Sequence, residues 1–553
     1  MAKVTAKGIG RNTLYGVLAQ VWRIGSRIVL TPLIIAKIGL EGYGTWTLLF
    51  TLCAYAAVVD RTFSTAYGKF TAEFDAMGDY RRLSQIISSG VAFVTVVAVA
   101  ALVVVWLFRS PVLRGLGVPN RVLAQASRAL LVVCVAVSLR MSLGYVLQVL
   151  AGLQRMDLQY KLGILASAVE FVTAIALLCL GWDLLGLAMG HLCGQVLAIT
   201  AAWWLCRRLC PELRVSPHFI TLWGLRRIVS LGGRFQLLAI LRLLMDQGTK
   251  MLISGLLGVA TLALYELAFK LLSLGSTVGG ALVAPLMPAF ANLYARDDRR
   301  AYRSFFTLSS KAVAAVSFPC FAFIAIFADQ LILLWTGQEY PLAAWTTRCL
   351  ALGFFALMLT SVGTASLRGQ GTIRLEMGLA LITTSLLALL LAPGYMLWGY
   401  RGIVGAILAG IAVGPAWFVA AYARRELLDL RSYLHATVLR PAITLGPPIL
   451  AIAALAHATP FTLSLANPRW NALAELTLWG VLFSVLVGCC GWFFLLSSAD
   501  RARLETVFRP SAAERRRPAT DSVTPMSRSH GIRGHQKTRI RETPARHPPR
   551  ELR

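Results

Sequence analysis

Six basic side chains lie inside stretches of the chain that are otherwise apolar enough to cross a membrane. They are Arg23, Arg27, Arg140, Arg242, Lys250 and Lys270. A basic residue near the centre of a spanning helix costs roughly 2.5–3.5 kcal/mol on insertion scales, so such residues usually face a bundle interior or a wet cavity. The chemistry that suits guanidinium and ammonium groups there is the binding of an anion, because they donate charge-assisted hydrogen bonds.

Most of these residues share helix faces with each other or with a few acids. Members of each set are one helical turn apart: Arg23 with Arg27; Arg242 with Asp246 and Lys250; Glu266 with Lys270. The basic residues outnumber the acids of the spans, even when Glu170 is counted. A purely structural ion-pair network should be nearly neutral, because an unpaired charge in low dielectric is costly. We therefore predict a cationic cavity for an anionic substrate, with Asp246, Glu266 and Glu170 as candidates for ion coupling.

A structural interpretation of the same residues stays open. The sets that contain acids would then be internal ion pairs, and the remaining basic side chains, Arg140 and Lys270 above all, would snorkel to the interface. The acids would in that case pair with neighbouring cations instead of binding protons or sodium.

The composition indicates which elements must position these residues. Hydrophobic residues make up 57% of the 553 residues and charged residues 14%, whereas a soluble domain carries roughly 25% charged residues. Stretches of about 20 mainly apolar residues predict spanning helices. We expect an all-α polytopic membrane protein with about fourteen spans: 12–37, 43–60, 84–108, 128–150, 160–180, 183–206, 232–256, 262–288, 308–327, 344–367, 374–397, 402–422, 438–457 and 472–496.

The distribution of charge predicts the orientation. If the N-terminus is cytoplasmic, the inner connections carry about three times as many lysines and arginines as the outer ones, as the positive-inside rule requires. Both termini are then cytoplasmic. The net charge of +29 is largely explained by topology, so no nucleic-acid partner is needed.

Matching residues in the first and seventh spans indicate an internal repeat. Arg23 falls on Arg242 and Gly39 on Gly258, at one offset along the chain. Because each repeat holds an even number of helices, both insert the same way up. We expect an N-terminal six-helix lobe (1–206), a cytoplasmic linker (207–231), a C-terminal six-helix lobe (232–422), an additional two-helix segment (423–496) and a disordered basic cytoplasmic tail (497–553).

Signatures of catalysis are missing from the sequence. It has no G-x-x-x-x-G-K-[ST] phosphate loop, and no Ser/His/Asp or His/Asp/Glu set gathers in the short outer connections. No cysteine and histidine spacing is typical of a metal site. We expect a protein that is not an enzyme and that uses no metal or cofactor.

Short motifs carry a family resemblance over about residues 10–500. They include the run Ile38-Gly39-Leu40-Glu41-Gly42-Tyr43-Gly44 and Gly152-Leu153-Gln154-Arg155; the positions that match family motifs are Gly39, Gly42, Asp60, Gly152, Arg155, Gly258 and Gly369. In these the chain resembles the Wzx-type oligosaccharide flippases (polysaccharide biosynthesis proteins) of the MOP superfamily, to which the MATE exporters and the lipid II flippase are related.

The resemblance implies a V-shaped, MATE-like bundle of two six-helix lobes plus a C-terminal helix pair, working by alternating access in the bacterial inner membrane. It implies a polyprenyl-diphosphate-linked oligosaccharide as substrate, flipped to the outer leaflet for O-antigen (lipopolysaccharide), capsule or exopolysaccharide synthesis. The expected partners are this anionic glycolipid, membrane lipids, polysaccharide assembly proteins, and a coupling proton or sodium ion.

Two other functions remain as alternatives. A cation-coupled drug exporter of the same fold would need an acidic or neutral cavity, whereas this one is predicted to be basic. A membrane polysaccharide polymerase or ligase would also place arginines on lipid diphosphates, but it predicts a large outer loop. A scaffold within a polysaccharide assembly complex is a third interpretation.

Overall fold

The structure is a computed structural model that describes residues 6–459 and 468–495. These ranges contain helices and turns, with no strand. The predicted tail, 497–553, lies outside the described residues. The helices are α1 Ala6–Met77, α2 Tyr80–Gly115, α3 Asn120–Leu143, α4 Tyr145–Gly152, α5 Met156–Cys179, α6 Asp183–Leu209, α7 Leu222–Leu243, α8 Thr249–Leu257, α9 Val259–Val283, α10 Leu286–Ala295, α11 Arg299–Ile326, α12 Ala328–Thr336, α13 Pro341–Gly369, α14 Arg374–Trp398, α15 Tyr400–Glu426, α16 Leu430–Leu434, α17 Arg440–Ala458 and α18 Pro468–Cys490.

Eleven helices or helix pairs are long and apolar enough to cross a membrane: Tyr80–Gly115, Asn120–Gly152, Met156–Cys179, Asp183–Leu209, Val259–Ala295, Arg299–Ile326, Pro341–Gly369, Arg374–Trp398, Tyr400–Glu426, Leu430–Ala458 and Pro468–Cys490. They coincide with eleven predicted spans. The other three predicted spans lie on α1 and on α7 with α8, which are helical but not among the eleven. The all-α polytopic fold class is confirmed, and the number fourteen stays a prediction.

α1 contains two predicted spans, 12–37 and 43–60, separated by a break at Gly39. Gly39 has φ 71° and ψ 177°, a conformation that glycine adopts readily because it has no Cβ. The first part of α1 also contains Pro32. Since proline has no N–H, the carbonyl of Ile28, one turn earlier, has no helical partner.

Residues with positive φ recur at a nearly constant interval. The pairs are Gly39 with Gly258, Gly78 with Asp297, Gly117 with Gly337, Gln154 with Gly371, and Gly181 with Gly399. The interval is about 220 residues in each pair. Corresponding turns with the same unusual backbone mean that corresponding helices end and begin at equivalent places. The backbone therefore repeats itself, at an interval close to that of the sequence matches.

Two separate apolar cores lie at the ends of the helices that carry the basic connections. One joins residues between Phe63 and Ile228, in α1–α7. The other joins residues between Phe290 and Tyr433, in α10–α16. At the opposite ends of the helices a single core, from Ile34 to Ile411, includes residues of both halves of the chain. Among the described residues, one core therefore joins both halves of the chain at one face, while the basic face has two separate cores.

Three close contacts join the halves near the shared core. A Cβ added to Gly44 of α1 would lie 1.8 Å from the carbonyl oxygen of Val259 on α9, so only glycine permits this crossing. The Ser254 hydroxyl donates to the carbonyl of Leu116 at 2.6 Å. The indole N–H of Trp335 donates to the Ile28 carbonyl at 2.8 Å, which is the carbonyl that Pro32 leaves without a partner.

The connection between α6 and α7 is fastened to α2. Three buried serines of α2 accept hydrogen bonds from backbone N–H groups of this connection, at 2.8–3.2 Å. Ser84 accepts from Arg214, Ser88 from Ser216 and Ser89 from Thr221. α7 then begins on the first half, where Ile228 joins the core of α1–α7, and it ends against α14 of the second half. α7 therefore crosses from one half to the other.

The predicted additional helix pair corresponds to α17 and α18. They pack on α11 and α12 through a small core that includes Phe327, Ile449 and Trp479. The Arg469 guanidinium donates to the Thr336 carbonyl at 2.6 Å. This pair therefore attaches to the second half of the chain.

Candidate functional site

A buried ion pair lies where α8 meets α9. Lys250 Nζ is 2.7 Å from Glu266 Oε2, and each side chain is about one-tenth exposed. The Lys250 ammonium is also 5.0 Å from the ring centre of Phe269. That carboxylate oxygen has a charge partner but no donor in hydrogen-bond geometry within the described part of the chain. Lys250 is thus neutralised by an acid of its own half.

Lys270 reaches across to the first half of the chain. Its Nζ is 3.4 Å from the Thr31 hydroxyl and 5.0 Å from the ring centre of Tyr43. It interacts electrostatically with Glu266, Arg27 and Lys250, although no carboxylate of the described residues lies within 4 Å of it. Lys270 therefore lies between the two halves of the chain.

Arg23 and Arg27 are exposed on the first part of α1. Arg23 donates to the Gln20 side chain of the same helix. Neither arginine forms an ion pair with any carboxylate in the described ranges. The electrostatic interaction of Arg27 with Lys270 places it beside the contact between α1 and α9.

Arg242 is bound to Glu376, an acid that no sequence pattern marks. Its Nη2 donates to Glu376 Oε1 at 2.7 Å, and Arg368 donates to both oxygens of the same carboxylate, at 2.5 and 3.1 Å. Glu376 is 1% exposed, while the Arg242 side chain is half-exposed. Position along the chain is the one indication of this pair: Arg368 and Glu376 lie on either side of the start of the predicted span 374–397.

The proposed stripe of Arg242, Asp246 and Lys250 is interrupted by a π-helical turn, Leu244–Gly248. A π turn holds an extra residue, so the helical register before it differs from the register after it. Asp246 interacts electrostatically with Tyr265. The predicted pairing of Glu266 with Lys270 likewise gives way to the contact of Glu266 with Lys250.

Arg140 and Glu170 lie in the first half, among α3, α5 and α6. Arg140 donates to Gln195 at 3.1 Å. Glu170 Oε1 is 3.0 Å from Nδ1 of His191, whose ring meets Phe50 edge-on at 5.1 Å. His191 is a partner that sequence patterns did not single out, because a lone histidine in an apolar helix has no spacing to mark it.

The glycines of the family motifs lie where the backbone has a positive φ or where two helices approach closely. Gly39 and Gly258 both have positive φ, 71° and 84°. A Cβ at Gly152 would lie 2.7 Å from the Gly68 carbonyl oxygen, and one at Gly369 would lie 2.9 Å from that of Met287. Both are therefore sites of close helix contact.

The other motif residues make local contacts. A Cβ at Gly42 would meet Ile38 at 2.7 Å. Asp60 accepts from the Ser64 hydroxyl at 3.1 Å. Arg155 pairs with the buried Asp157 at 3.3 Å.

Taken together, two of the six predicted cations, Lys250 and Arg242, have acid partners within 4 Å in the part of the chain that the structure describes. Arg23, Arg27 and Lys270 gather at α1 and α9 without one, and Arg140 lies apart. A region with more cations than acids, at the boundary of the two halves, can bind an anion.

The sequence profile of a family described as polysaccharide biosynthesis protein matches residues 81–344. The fold resembles that of the lipid II flippase MurJ in an inward closed conformation, with TM-score 0.65 and 11% identity over 86% of this chain and 99% of that one. It also resembles a multidrug resistance MATE family transporter of the MOP superfamily in an inward-facing conformation, with TM-score 0.60 and 16% identity over 76% of this chain and 96% of that one.

A third solved structure is a MOP superfamily transporter from Pyrococcus furiosus, whose description gives a reversed polarity of the binding pocket. Its TM-score is 0.50, with 16% identity over 77% of this chain and 94% of that chain. No curated protein matches the chain in sequence. The family match over residues 81–344 and the MurJ- and MATE-like fold agree with the resemblance seen in the sequence. The chain is a multi-pass membrane protein whose structural relatives are transporters and flippases.

Proposed function

Because residues 81–344 match the polysaccharide biosynthesis protein family and the bundle has the MurJ and MATE fold, we propose that this protein is a flippase. It moves a polyprenyl-diphosphate-linked oligosaccharide from the cytoplasmic to the outer leaflet by alternating access. The product serves synthesis of O-antigen, capsule or exopolysaccharide. The protein is not an enzyme, and it lies in the bacterial inner membrane.

The observation that carries the proposal is the cationic surplus where the halves meet. Arg23 and Arg27 are exposed on α1, and Lys270 is partly buried near Arg27, with hydroxyl and aromatic neighbours. A diphosphate carries two negative charges and presents planar groups of oxygens, which guanidinium groups bind in bidentate fashion. We assign Arg23, Arg27 and Lys270 to the diphosphate, since no described carboxylate competes for them within 4 Å.

The other predicted cations have different roles in this proposal. Arg242 is half-exposed and keeps donors free beside its contact with Glu376, so it can contact an acidic glycan. Lys250 supports the cavity wall through Glu266. Arg140 bonds to Gln195 and contacts substrate only when the first half rearranges.

Separate cores at the basic face support a cytoplasmic opening. Each half packs on itself there, while both share one core at the opposite face. With both termini cytoplasmic, this arrangement admits a lipid-linked glycan from the inner leaflet and closes the outer side. The backbone repeat supports the division into lobes 1–206 and 232–422, although the crossing helix α7 begins at Leu222, inside the predicted linker 207–231.

Asp246, Glu266 and Glu170 are the acids assigned to coupling with a proton or sodium. Glu170 contacts His191, and Glu266 pairs with Lys250. If either acid gains a proton it becomes neutral, and the attraction to its partner weakens. Transport measured under an imposed pH gradient, and then under an imposed sodium gradient, tests this assignment.

Flipping of a fluorescent polyprenyl-diphosphate oligosaccharide in proteoliposomes tests the function. We expect the purified wild type to expose the label to an external quencher. The double variant Arg23→Glu, Arg27→Glu should lose transport at least about tenfold, because two attractive contacts become repulsive. Arg128→Glu, at an exposed arginine on α3, is the matched control and should transport normally.

Transport by the wild type of a cationic drug, with no flipping of the glycolipid, would replace the proposal with the exporter alternative. Normal flipping by the double variant, with the same folded yield, would withdraw the site while leaving the function intact.

A further inference from the structure

Two tryptophan–arginine stacks lie side by side at the end of α6. The guanidinium of Arg207 is 4.6 Å from the ring centre of Trp203, and that of Arg208 is 3.7 Å from Trp204. The two tryptophans are 48% and 50% exposed. Each pair is one helical turn apart, so a single surface of α6 presents both stacks.

The position of the stacks on α6 is set by its buried face. Ala202 and Cys206 are 0% and 6% exposed and belong to the core of α1–α7. On a helix, residues 203 and 207 lie on one side of the outward face and 204 and 208 on the other. The stacks therefore point away from the bundle, toward lipid and the membrane surface.

Stacking leaves the hydrogen-bonding edge of each guanidinium available. A cation–π contact uses the flat face of the group, while its N–H donors lie in the plane. Neither arginine has an ion-pair partner among the described residues. The two stacks lie at the end of a candidate span, and tryptophan is enriched at such ends. Two in-plane donor sets held there are suited to an oxyanion of a lipid headgroup.

We propose that Trp203, Trp204, Arg207 and Arg208 form a binding site for an anionic glycerophospholipid of the cytoplasmic leaflet. The phosphate diester accepts hydrogen bonds from the two guanidinium groups. One acyl chain lies over Trp203 and the exposed Val196, which is two turns earlier on the same side of α6. Headgroups with a quaternary or primary amine bind less well, because their cation is repelled by the same arginines. This site goes beyond the proposed transport function.

Native mass spectrometry of the purified full chain, with phosphatidylglycerol and phosphatidylcholine as competing lipids, tests the proposal. We expect the wild type to retain one phosphatidylglycerol. Arg207→Gln with Arg208→Gln should bind it about thirtyfold more weakly, since each basic residue near the surface contributes about fivefold. Arg401→Gln, at another tryptophan–arginine stack (5.7 Å from Trp345), is the matched control and should bind as the wild type does.

A double lysine variant distinguishes binding at a specific site from binding through general surface charge. Arg207→Lys with Arg208→Lys keeps both charges and removes the planar donors, so phosphatidylglycerol retention should fall at least about fivefold. Retention equal to the wild type would overturn the proposal, as would equal binding of phosphatidylcholine. Displacement of phosphatidylglycerol by an equimolar polyprenyl diphosphate would overturn it too, because the stacks would then belong to the transported lipid. If the thermal unfolding of each variant equals that of the wild type, a loss of phosphatidylglycerol retention is not caused by misfolding.

Discussion

At the residue scale, the carboxylate of Glu376 shows how a charge is made tolerable inside the bundle. It is 1% exposed and accepts hydrogen bonds from Arg242 and Arg368. Arg242 comes from a helix more than a hundred residues earlier. The acid thus connects the end of α7 to the junction of α13 and α14, and its charge holds two cations in place.

Replacing Glu376 with glutamine should lower the free energy of unfolding by about 2 kcal/mol. The loss is moderate because both arginines are half-exposed and can reach water, while their mutual repulsion is no longer offset. Thermal or denaturant unfolding in detergent measures it. Asp297→Asn is the control: its pair with Arg299 is exposed on both sides, so a change within about 0.5 kcal/mol is expected.

Arg242→Gln in the Glu376→Gln background should then add little. Equal and additive costs of the two single substitutions would contradict a direct pair.

At the element scale, the first part of α1 is held to the second half of the chain at a proline. Pro32 leaves the Ile28 carbonyl without its helical partner, and Trp335 supplies a donor from α12. The same region contributes Thr31 to Lys270. A change of state that separates the halves at the shared core must break both hydrogen bonds.

Trp335→Phe should therefore shift the equilibrium toward separation at this face by about fivefold, since one hydrogen bond contributes about 1 kcal/mol. Electron–electron resonance distances between spin labels at Phe108 and Met396, both exposed near the shared core, report the population. Native cysteines are replaced in this background. Trp345→Phe, within the second half, should leave the distribution unchanged; an identical shift in both variants would reject the role of the Trp335 N–H.

The crossing of α1 with α9 requires glycine at position 44, because it has no Cβ. At Gly44 a Cβ would lie 1.8 Å from the Val259 carbonyl oxygen, whereas at Gly25 on the same helix nothing lies within 4 Å. Gly44→Ala should separate the helices and lower the free energy of unfolding by about 1–3 kcal/mol. Gly25→Ala should be neutral or stabilising, because alanine favours a helix. Unfolding curves of the two variants, compared with the wild type, decide the point.

At the scale of the whole molecule, the arrangement of cores predicts which side reaches the cationic region. A cysteine at Arg27 should react with a membrane-impermeant maleimide in inverted vesicles and stay protected in right-side-out vesicles, in a chain without native cysteines. Met396→Cys, 82% exposed near the opposite face, should show the reverse pattern. Labelling of both positions from one side would contradict the predicted orientation together with the cytoplasmic opening.

Much of the architecture could be predicted from local patterns. Eleven spans follow from apolar runs. Gly39 and Gly258 were recognisable as matching positions of a repeat, and the structure adds that both have a positive φ, which glycine adopts readily. The π-helical turn at Leu244–Gly248 was not predictable, since no residue there marks an added position. His191 and Glu376 were missed for a related reason: each becomes a partner only after distant helices pack together.

The sequence alone determined that lipid is the solvent of this protein, because too few charged residues are available to cover a soluble surface. It also determined the placement of basic side chains within the spans, which is a property of position along the chain. Which of those cations have an acid partner among the described residues depends on the tertiary structure. Glu376 reaches Arg242, and Lys270 reaches Thr31, across separations of 134 and 239 residues. Coulombic pairing depends on distance in space, and that distance is set by how the helices pack.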